Sequence, residues 1–559
     1  MGIKEKCWIK QYPQQISATL DYPDISIAQL LINAVNDFPN QDAIAFMGKR
    51  LTYQELLEQV YCFANALKRL GINKGDRVAI MLPNCPQSVI AYYATLMIGG
   101  IVVHTNPLYM ENELEHQLND ADAKAIICLD LVFNKVQNIR EKTQLSHIIV
   151  TGIADVLPFP KKWLYKLKLR KDGIKVTIPE EIGYYSMKQL ISQEEPIPVE
   201  IVYHSKDDVA LLQYTGGTTG LSKGAMLTHQ NLISNTYQTT AWLYKAKRGE
   251  EKVLGVLPFF HVYGLTTLMH FAVHIAATMV LVPRFDAKMI LKEIHKHRPT
   301  YFPGAPTMYI GLINHSEISK YDLSSIQACI SGSAPLPIEV QDKFEKLSGG
   351  TLIEGYGLTE ASPITHANLV YDRVKSGTIG LPLPDTECRI VHPETGDILG
   401  VGEIGELQVR GPQVMKGYWK RPEETNATLV DGWLNTGDIA KMDEDGYFYI
   451  LDRKKDVIIA GGFNIYPREV EEVLFEHPAI QEAVVIGVPH EYRGETVKAY
   501  IVLKKGFQLT EKEIENYCRQ KLASYKVPRI VEFRQELPKS NIGKVLRRVL
   551  KEEENNKSN

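Results

Sequence analysis

Apolar strands and amphipathic helices alternate between Ser26 and Leu129, and this alternation restricts the fold more than any other feature of the sequence. Strands are predicted at 43–47, 76–82, 100–104 and 125–129, and helices at 26–36, 51–70, 87–98 and 114–120. Repeats of this kind build parallel sheets with helices packed on their faces. The sequence therefore predicts an α/β core with a largely parallel sheet.

The character of the chain changes after residue 376, where short strands and turns predict a β-rich subdomain. The charged run Asp452–Asp456 separates two strands and is a candidate hinge. At 559 residues the chain exceeds what one hydrophobic core usually supports. We predict a large N-terminal domain at 1–451, a hinge at 452–456 and a small α+β domain at 457–559. The polar tail 551–559 is predicted to be disordered.

A glycine-rich stretch follows a strand predicted at 208–214. Residues 214–224 read Tyr-Thr-Gly-Gly-Thr-Thr-Gly-Leu-Ser-Lys-Gly, with four glycines, three threonines, one serine and one lysine. Successive backbone amides in such a loop can bind an anion, which predicts a site for a nucleotide triphosphate. A Walker A motif needs Gly-Lys-Ser/Thr, whereas Ser222 precedes Lys223 and Gly224 follows it. A Gly/Thr-rich surface turn without a ligand is the alternative.

Three further strands end in small, aromatic and polar residues. They lead into Pro258–Gly264, Gly332–Pro335 and Gly355–Glu360. In open α/β sheets ligands bind at the carboxyl ends of the strands. These segments are therefore expected to meet at one binding site.

A basic segment interrupts the pattern at 161–175. It carries seven Lys or Arg residues against a single acid, Asp172, together with Trp163 and Tyr165. Two interpretations remain open: contact with an anionic membrane surface, or a solvated insertion. Between 267 and 283 the apolar sequence predicts a buried helix followed by a strand, because the stretch is short for a membrane span and contains His270 and His274.

Composition narrows the class of protein. The chain is 44% hydrophobic and 23% charged, as in globular proteins, and a net charge of −3 offers no polycation for nucleic acid. Seven scattered cysteines without a Cys-x-x-Cys motif favour neither a disulfide framework nor a zinc site. The N-terminus lacks the apolar run of a signal peptide. A cytoplasmic protein, with or without peripheral contact to the inner face of the membrane, is expected.

Seven segments together resemble the acyl-adenylate-forming enzymes, which include acyl-CoA synthetases, luciferases and adenylation domains. They are 214–224, 258–264, 355–360, 433–438, 452–459, 461–467 and 538–544, in the family order. The resemblance runs from about Ser26 to Leu550. Within the family, Asp431–Ile439 through Asp452–Lys455 and the basic insertion look most like bacterial long-chain fatty acid–CoA ligases. The resemblance implies a mixed α/β fold whose C-terminal domain is a mobile lid.

The implied substrates are a fatty acid, ATP and coenzyme A, with Mg²⁺. The acid would form acyl-AMP and pyrophosphate, and the thiol of coenzyme A would then expel AMP. The resemblance assigns the β- and γ-phosphates to Thr215, Gly216, Gly217, Thr218, Thr219 and Lys223. It makes Glu360 a Mg²⁺ ligand, near the hydroxyl of Thr215 or Thr359, which suits an ion that prefers few carboxylates plus phosphate oxygens.

The resemblance also assigns the remainder of the nucleotide site and the catalytic groups. Adenine would stack on Tyr356, between Gly355 and Gly357, beside a wall formed by Gly332, Ser333 and Ala334. Asp438 would accept the ribose hydroxyls and Arg453 would donate to the ribose. Lys544 would bridge the acyl carboxylate and the α-phosphate, and His261 would line the acyl tunnel. Lys455 falls at the family's pivot, and Gly461 and Gly462 would line the pantetheine tunnel after rotation.

Six of these residues have structural alternatives that stay open, among them Gly461 and Gly462, which could form a simple turn. Glu360 could cap a helix, Asp438 could belong to a turn, and His261 could be a core histidine. Lys544 lies in a cationic stretch with Lys539 and Arg547 that could be a solvated face.

Other functions are compatible with parts of the pattern. They are a medium-chain or aryl acid–CoA ligase, a free-standing ligase that passes acyl-AMP to a carrier protein, luciferase-like oxygenation, and a non-enzymatic nucleotide or lipid sensor. A sensor would need neither Lys544 nor the hinge. A homodimer is an expectation from the family alone.

Overall fold

The computed structural model describes residues 6–171, 177–201, 203–215, 222–460, 463–490, 492, 494–540 and 544–558. The first sixteen strands are β1 Asp42–Phe46, β2 Lys49–Thr52, β3 Arg77–Met81, β4 Ile101–His104, β5 Ala123–Leu129, β6 His147–Thr151, β7 Tyr184–Ser186, β8 Val209–Thr215, β9 Lys223–Thr228, β10 Lys252–Gly255, β11 Thr278–Leu281, β12 Tyr301–Gly304, β13 Ala328–Ser331, β14 Thr351–Gly357, β15 Ile364–Ala367 and β16 Leu381–Pro382.

The remaining strands are β17 Glu387–Val391, β18 Gly405–Arg410, β19 Gly417–Tyr418, β20 Leu429–Val430, β21 Trp433–Met442, β22 Phe448–Arg453, β23 Ile458–Ala460, β24 Phe463–Ile465, β25 Ile480–His490, β26 Gly494–Leu503 and β27 Ile530–Arg534. The helices are α1 Ile27–Asp37, α2 Tyr53–Arg69, α3 Pro86–Met97, α4 Glu111–Asp120, α5 Phe133–Ile139, α6 Lys161–Lys171, α7 Met187–Ser192, α8 His229–Trp242, α9 Val262–Gly264, α10 Phe271–His274, α11 Ala287–His297, α12 Pro306–Ile313, α13 Ile338–Ser348, α14 Pro422–Thr428, α15 Pro467–Phe475, α16 Glu511–Arg519 and α17 Arg547–Ser558.

Two large sheets form the first part of the chain, and both are parallel at their centres. One has nine strands in the order β16-β15-β14-β13-β12-β10-β11-β1-β2, and the other has eight in the order β19-β9-β8-β4-β3-β5-β6-β7. Strand pairs are parallel from β1 to β14 in the first sheet and from β8 to β7 in the second, with antiparallel pairs at the edges. The predicted α/β core with a largely parallel sheet is confirmed.

Local sequence explains where the helices begin and end. Thr52 and Glu55 form a reciprocal capping box at the start of α2, and Gly71 (φ +78°) follows its end. The side chain of Thr228 accepts a hydrogen bond from the backbone N–H of Asn231, so the predicted cap of α8 is confirmed. The buried helix and strand predicted within 267–283 are present as the segment ending in α10, followed by β11.

Two smaller antiparallel-rich sheets follow. The order β17-β18-β21-β20, with β22 beside β21, makes up the predicted β-rich region. The order β24-β23-β26-β25, with β27 beside β26, starts at Ile458 and has a separate apolar core that includes Ile465, Val485 and Ile501. The predicted fold class, a large α/β region followed by a β-rich region and a small α+β domain, is thus present.

The prediction of a disordered tail at 551–559 is wrong for the residues that the structure describes there. Residues up to Ser558 belong to α17, which begins at Arg547. Leu550 is fully buried, and Lys498 forms ion pairs with Glu554 and Glu532. The buried leucine, the Lys498–Glu554 pair and the Arg534–Glu553 pair hold a helix whose composition is otherwise typical of a solvated tail.

In the described part of the chain, no helix combines the length and apolarity that crossing a bilayer requires. All seven cysteines are free thiols.

Candidate active site

The carboxyl ends of strands from both large sheets open onto one cavity of about 1800 Å³. Residues after the charged run 452–456, among them Arg468 and Lys544, close it from the other side. Fifteen predicted site residues line this single cavity: Thr215, Lys223, His261, Gly332, Ser333, Ala334, Gly355, Tyr356, Gly357, Thr359, Glu360, Asp438, Arg453, Lys455 and Lys544. Residues separated by more than 300 positions in sequence are therefore neighbours.

Six predicted residues lie outside the described residues: Gly216, Gly217, Thr218, Thr219, Gly461 and Gly462. Their assignments stay predictions, as do the roles of the fifteen that line the cavity.

Asp438 and Arg453 are cross-strand partners at the junction of β21 and β22. The Arg453 guanidinium lies 3.6 Å from one Asp438 oxygen, and the Tyr356 hydroxyl donates to the other at 2.5 Å. Burial raises the pKa of Asp438, while Arg453 and the Tyr356 hydrogen bond oppose that rise. A carboxylate held in this way can accept a pair of hydroxyl donors from a ligand in the cavity.

Lys544 lies in the cavity close to His261 and Arg453. Burial, followed by repulsion from Arg453, lowers the pKa of Lys544 to about 8. Burial, followed by the charge of Lys544, lowers the pKa of His261 to about 4, so this imidazole is neutral at pH 7. The His261 Nδ1 accepts a hydrogen bond from the Tyr263 backbone amide at 3.2 Å. Among the described residues, no carboxylate forms an ion pair with the Lys544 ammonium.

The loop that carries His261 is braced by Gln213 of the eight-stranded sheet and by Asn84 of the loop that follows β3. The Asn84 amide donates to the carbonyls of Gly255 (3.0 Å) and Leu257 (2.7 Å), and its oxygen accepts the Phe259 amide at 2.9 Å. Gln213 donates to the Phe260 carbonyl at 2.9 Å. Both amides are buried, so these hydrogen bonds fix one sheet against the other along the cavity wall.

Close packing explains two small residues of the cavity wall. A Cβ on Gly332 would lie 3.0 Å from the Tyr263 ring, whose hydroxyl donates to the Ile330 carbonyl at 2.7 Å. A Cβ on Gly357 would lie 2.0 Å from the Pro363 carbonyl oxygen. A side chain at Gly332 would press on the Tyr263 ring and one at Gly357 on the Pro363 backbone, so glycine keeps the wall flat and open to a ligand.

The two ends of the glycine-rich stretch are themselves paired. Thr215 and Lys223 face each other on β8 and β9, so both side chains stand at one rim of the cavity. Glu360 faces the same rim, where the Tyr418 hydroxyl donates to it at 2.7 Å. No group of three or more His, Cys, Asp or Glu among the described residues could hold a metal ion alone. One carboxylate with nearby hydroxyls fits Mg²⁺ bound together with a phosphate.

Sequence reasoning missed three sets of cavity contacts: Tyr418 against Glu360, Arg468 against Glu354, and Asn84 with Gln213 against the His261 loop. Tyr418, Arg468, Asn84 and Gln213 stand in no short motif. Tertiary packing of distant elements brings them to the site, and no signal in a single sequence reports it.

Two family models match the chain. The model of the AMP-binding enzymes matches residues 31–419, and the model of the AMP-binding enzyme C-terminal domain matches residues 469–544. The first alone spans more than half of the sequence.

Individual proteins are similar over nearly the whole length. The chain is 53% identical to a long-chain-fatty-acid–CoA ligase of Bacillus subtilis (strain 168), over 98% of both chains. It is 42% identical to a long-chain-fatty-acid–CoA ligase of Yersinia pestis, again over 98% of both. Among solved structures, the anthranilate CoA ligase AuaEII in complex with anthranoyl-AMP matches with a TM-score of 0.86 at 28% identity, covering 96% of this chain and 99% of that one.

Proposed function

This chain belongs to the family of AMP-binding enzymes, and from that premise we propose that it is an ATP-dependent long-chain fatty acid–CoA ligase. It activates a long-chain fatty acid to acyl-AMP with release of pyrophosphate, and then transfers the acyl group to coenzyme A with release of AMP. The observation that carries this function is the 53% identity, over 98% of both chains, to a relative of that name. The meeting of fifteen predicted site residues around one cavity supports it.

In the first half-reaction a carboxylate oxygen attacks the α-phosphorus of ATP, and pyrophosphate leaves. Both reactants are anions, so positioning and neutralisation of charge must lower the barrier. We assign the bridging cation to Lys544, which has no carboxylate partner among the described residues and is mostly protonated at pH 7 because its pKa is about 8. Thr215 and Lys223 would hold the β- and γ-phosphates, together with Gly216, Gly217, Thr218 and Thr219.

Asp438 would accept the ribose hydroxyls while Arg453 donates to the ribose. The hydrogen bond from Tyr356 to Asp438 supports this assignment, because it orients the carboxylate next to the aromatic face on which adenine would stack. The flat wall at Gly332, Ser333 and Ala334 would contact the adenine and the acyl carbonyl.

Glu360 would hold Mg²⁺, with the hydroxyl of Thr215 or Thr359 beside it. Bound there, the ion would neutralise phosphate charge. The support is chemical: the Glu360 carboxylate with hydroxyls nearby suits an ion that takes most of its oxygens from phosphate and water.

In the second half-reaction the thiol sulfur of coenzyme A attacks the acyl carbonyl carbon, the thiol proton is lost, and AMP leaves. We propose that residues 457–559 turn about Lys455 between the two steps. Lys544 would then leave the cavity, and Gly461 with Gly462 would line the pantetheine tunnel. His261, neutral and half-buried, would line the acyl tunnel.

We also propose peripheral contact with an anionic membrane through residues 161–175. Within α6, Trp163 is 58% and Leu164 54% exposed, and Phe159 just before the helix is 86% exposed. Apolar side chains exposed beside a row of cations are typical of interfacial helices. A cytoplasmic location fits seven free thiols, and the family resemblance alone suggests a homodimer, which sedimentation of the purified chain would test.

One assay tests the main proposal. Purified enzyme is given ATP, Mg²⁺, coenzyme A and acids from acetate to oleate, with aryl acids included, and AMP and thioester are measured. Highest kcat/KM for long-chain acids is expected. Highest values for aryl or medium-chain acids would favour those ligases instead, and acyl-AMP without thioester would favour transfer to a carrier protein.

A further inference from the structure

Tyr418 contacts the predicted metal ligand from a distant part of the chain. Its hydroxyl donates to Oε1 of Glu360 at 2.7 Å, and the backbone of the same segment holds the glutamate, since the Met415 amide donates to the Glu360 carbonyl at 2.7 Å. Tyr418 is buried. Glu360 Oε2 has no hydrogen-bond partner among the described residues.

The ring of Tyr418 also contacts the predicted phosphate-binding lysine. The Lys223 ammonium lies 5.3 Å from the ring centroid, within the range of a cation–π interaction. This contact follows from strand pairing, because β19 lies antiparallel to β9 with Tyr418 opposite Ala225. The Trp419 amide extends the pairing to the Gly224 carbonyl at 2.8 Å. One side chain thus touches both charged groups at the phosphate end of the cavity.

We propose that Tyr418 is a positioning residue for the adenylation step, which orients the Glu360 carboxylate for Mg²⁺ and the Lys223 ammonium for the triphosphate. The proposal rests on the function proposed above. The two parts of the Tyr418 side chain have separate roles: its hydroxyl orients Glu360, and its ring orients Lys223. Metal affinity depends strongly on how the Glu360 carboxylate is oriented, since residues behind metal ligands typically change metal affinity ten- to hundredfold.

Tyr418→Phe separates the two contacts, because it removes the hydroxyl and keeps the ring. We expect the dissociation constant of Mn²⁺, measured by electron paramagnetic resonance in the presence of a non-hydrolysable ATP analogue, to rise about tenfold. We expect KM for ATP at saturating Mg²⁺ to stay within about twofold, because the ring still faces Lys223. Tyr418→Leu removes both contacts, so KM for ATP should also rise about fivefold.

Tyr449 offers a matched control in the same chain. Its hydroxyl donates to Asp443 at 3.0 Å, and the Lys441 ammonium lies 5.3 Å from its ring centroid, which repeats the arrangement of Tyr418 outside the cavity. Tyr449→Phe should therefore leave Mn²⁺ affinity and KM unchanged. Equal thermal unfolding midpoints of the Tyr418 and Tyr449 variants would confirm that both fold.

A double-mutant cycle with Glu360→Gln completes the test. If Tyr418 acts through Glu360, Tyr418→Phe should change Mn²⁺ affinity little in the Glu360→Gln background, and the two effects should not add. Mn²⁺ affinity unchanged in Tyr418→Phe, or additive effects, would overturn the proposal for the metal ligand. Unchanged KM in Tyr418→Leu would overturn it for Lys223. Failure of the wild-type chain to form acyl-AMP would refute the proposed function instead, so the two failures are distinguishable.

Discussion

Arg468 and Glu354 form a buried ion pair between α15 and β14, with the guanidinium 3.4 Å from the carboxylate and both side chains 8% exposed. Burial raises the pKa of Glu354 and Arg468 opposes the rise. Both residues line the cavity. Arg468 comes after the candidate hinge in the sequence, and Glu354 comes before it. The pair therefore exists only while the two regions are docked in this arrangement, with Lys544 at the cavity.

Arg468→Met should shift the enzyme from the first half-reaction to the second. Breaking a buried pair by removing one partner costs about 3–5 kcal/mol, because the other charge is left unpaired. We expect the single-turnover rate of acyl-AMP formation to fall at least tenfold, and the rate of thioester formation from supplied acyl-AMP to be kept.

The double variant Arg468→Met with Glu354→Gln should recover part of the adenylation rate, since no buried charge remains. Arg519→Met is the matched control, because Arg519 pairs with Glu515 at the exposed surface, where an ion pair contributes little to stability. Equal losses in both half-reactions would contradict the interpretation of the pair as a conformational contact.

Lys544→Ala should abolish acyl-AMP formation and keep thioester formation from supplied acyl-AMP. The reason is that the ammonium is assigned to the first transition state alone. Quench-flow measurement of each half-reaction checks this. Lys539→Ala is the control, because Lys539 lies in the same segment but pairs with Glu482. An equal loss in both half-reactions of Lys544→Ala would remove the assigned role.

The pH dependence of adenylation should carry the signature of Lys544. Its pKa is lowered to about 8, so the cation is present below that pH and is lost as pH rises through it. We expect kcat/KM for ATP, which reports the free enzyme, to fall above about pH 8. Lys544→Arg keeps its charge at all these pH values and should lose this alkaline limb, although its absolute rate is lower. An identical limb in both enzymes would assign it to another group.

Neutralising the exposed cations of α6 should weaken vesicle binding. Each Lys or Arg near an anionic surface contributes about 1 kcal/mol, so the triple change of Lys168, Arg170 and Lys171 to Gln should lower affinity for phosphatidylglycerol vesicles about 100-fold. Trp163→Ser should weaken binding as well, because it removes an apolar anchor, and this loss should persist at high salt. Vesicle cosedimentation measures both.

The control removes the same charge from another surface, by changing Lys505, Lys512 and Lys521 to Gln. All three are exposed residues of the C-terminal region. Equal binding of the wild type and the α6 triple variant would show that residues 161–175 form a solvated insertion.

The α/β core and the three strand ends that lead into Pro258–Gly264, Gly332–Pro335 and Gly355–Glu360 could be predicted, because hydrophobic periodicity and glycine placement are local signals. Asp438 and Arg453 were predicted separately, but their pairing across β21 and β22 depends on strand register. Tyr418 could not be predicted, since its contact with Glu360 spans 58 residues and depends on the short strand β19. The disorder prediction for 551–559 is wrong because that segment is polar throughout, whereas Leu550, fully buried in the described part of α17, lies just before it.

Strand β22 has a consequence for the timing of the catalytic cycle. Arg453 at its end faces Asp438, while Asp452 beside it accepts the Arg468 amide at 3.0 Å and the Arg547 guanidinium at 2.9 Å. The predicted ribose contact and the anchorage of the C-terminal region thus occupy adjacent residues. Under the proposed rotation, a nucleotide bound to Arg453 would hold the strand end next to which residues 457–559 must rotate. Departure of AMP and return of these residues to the first arrangement would then be one event, not two.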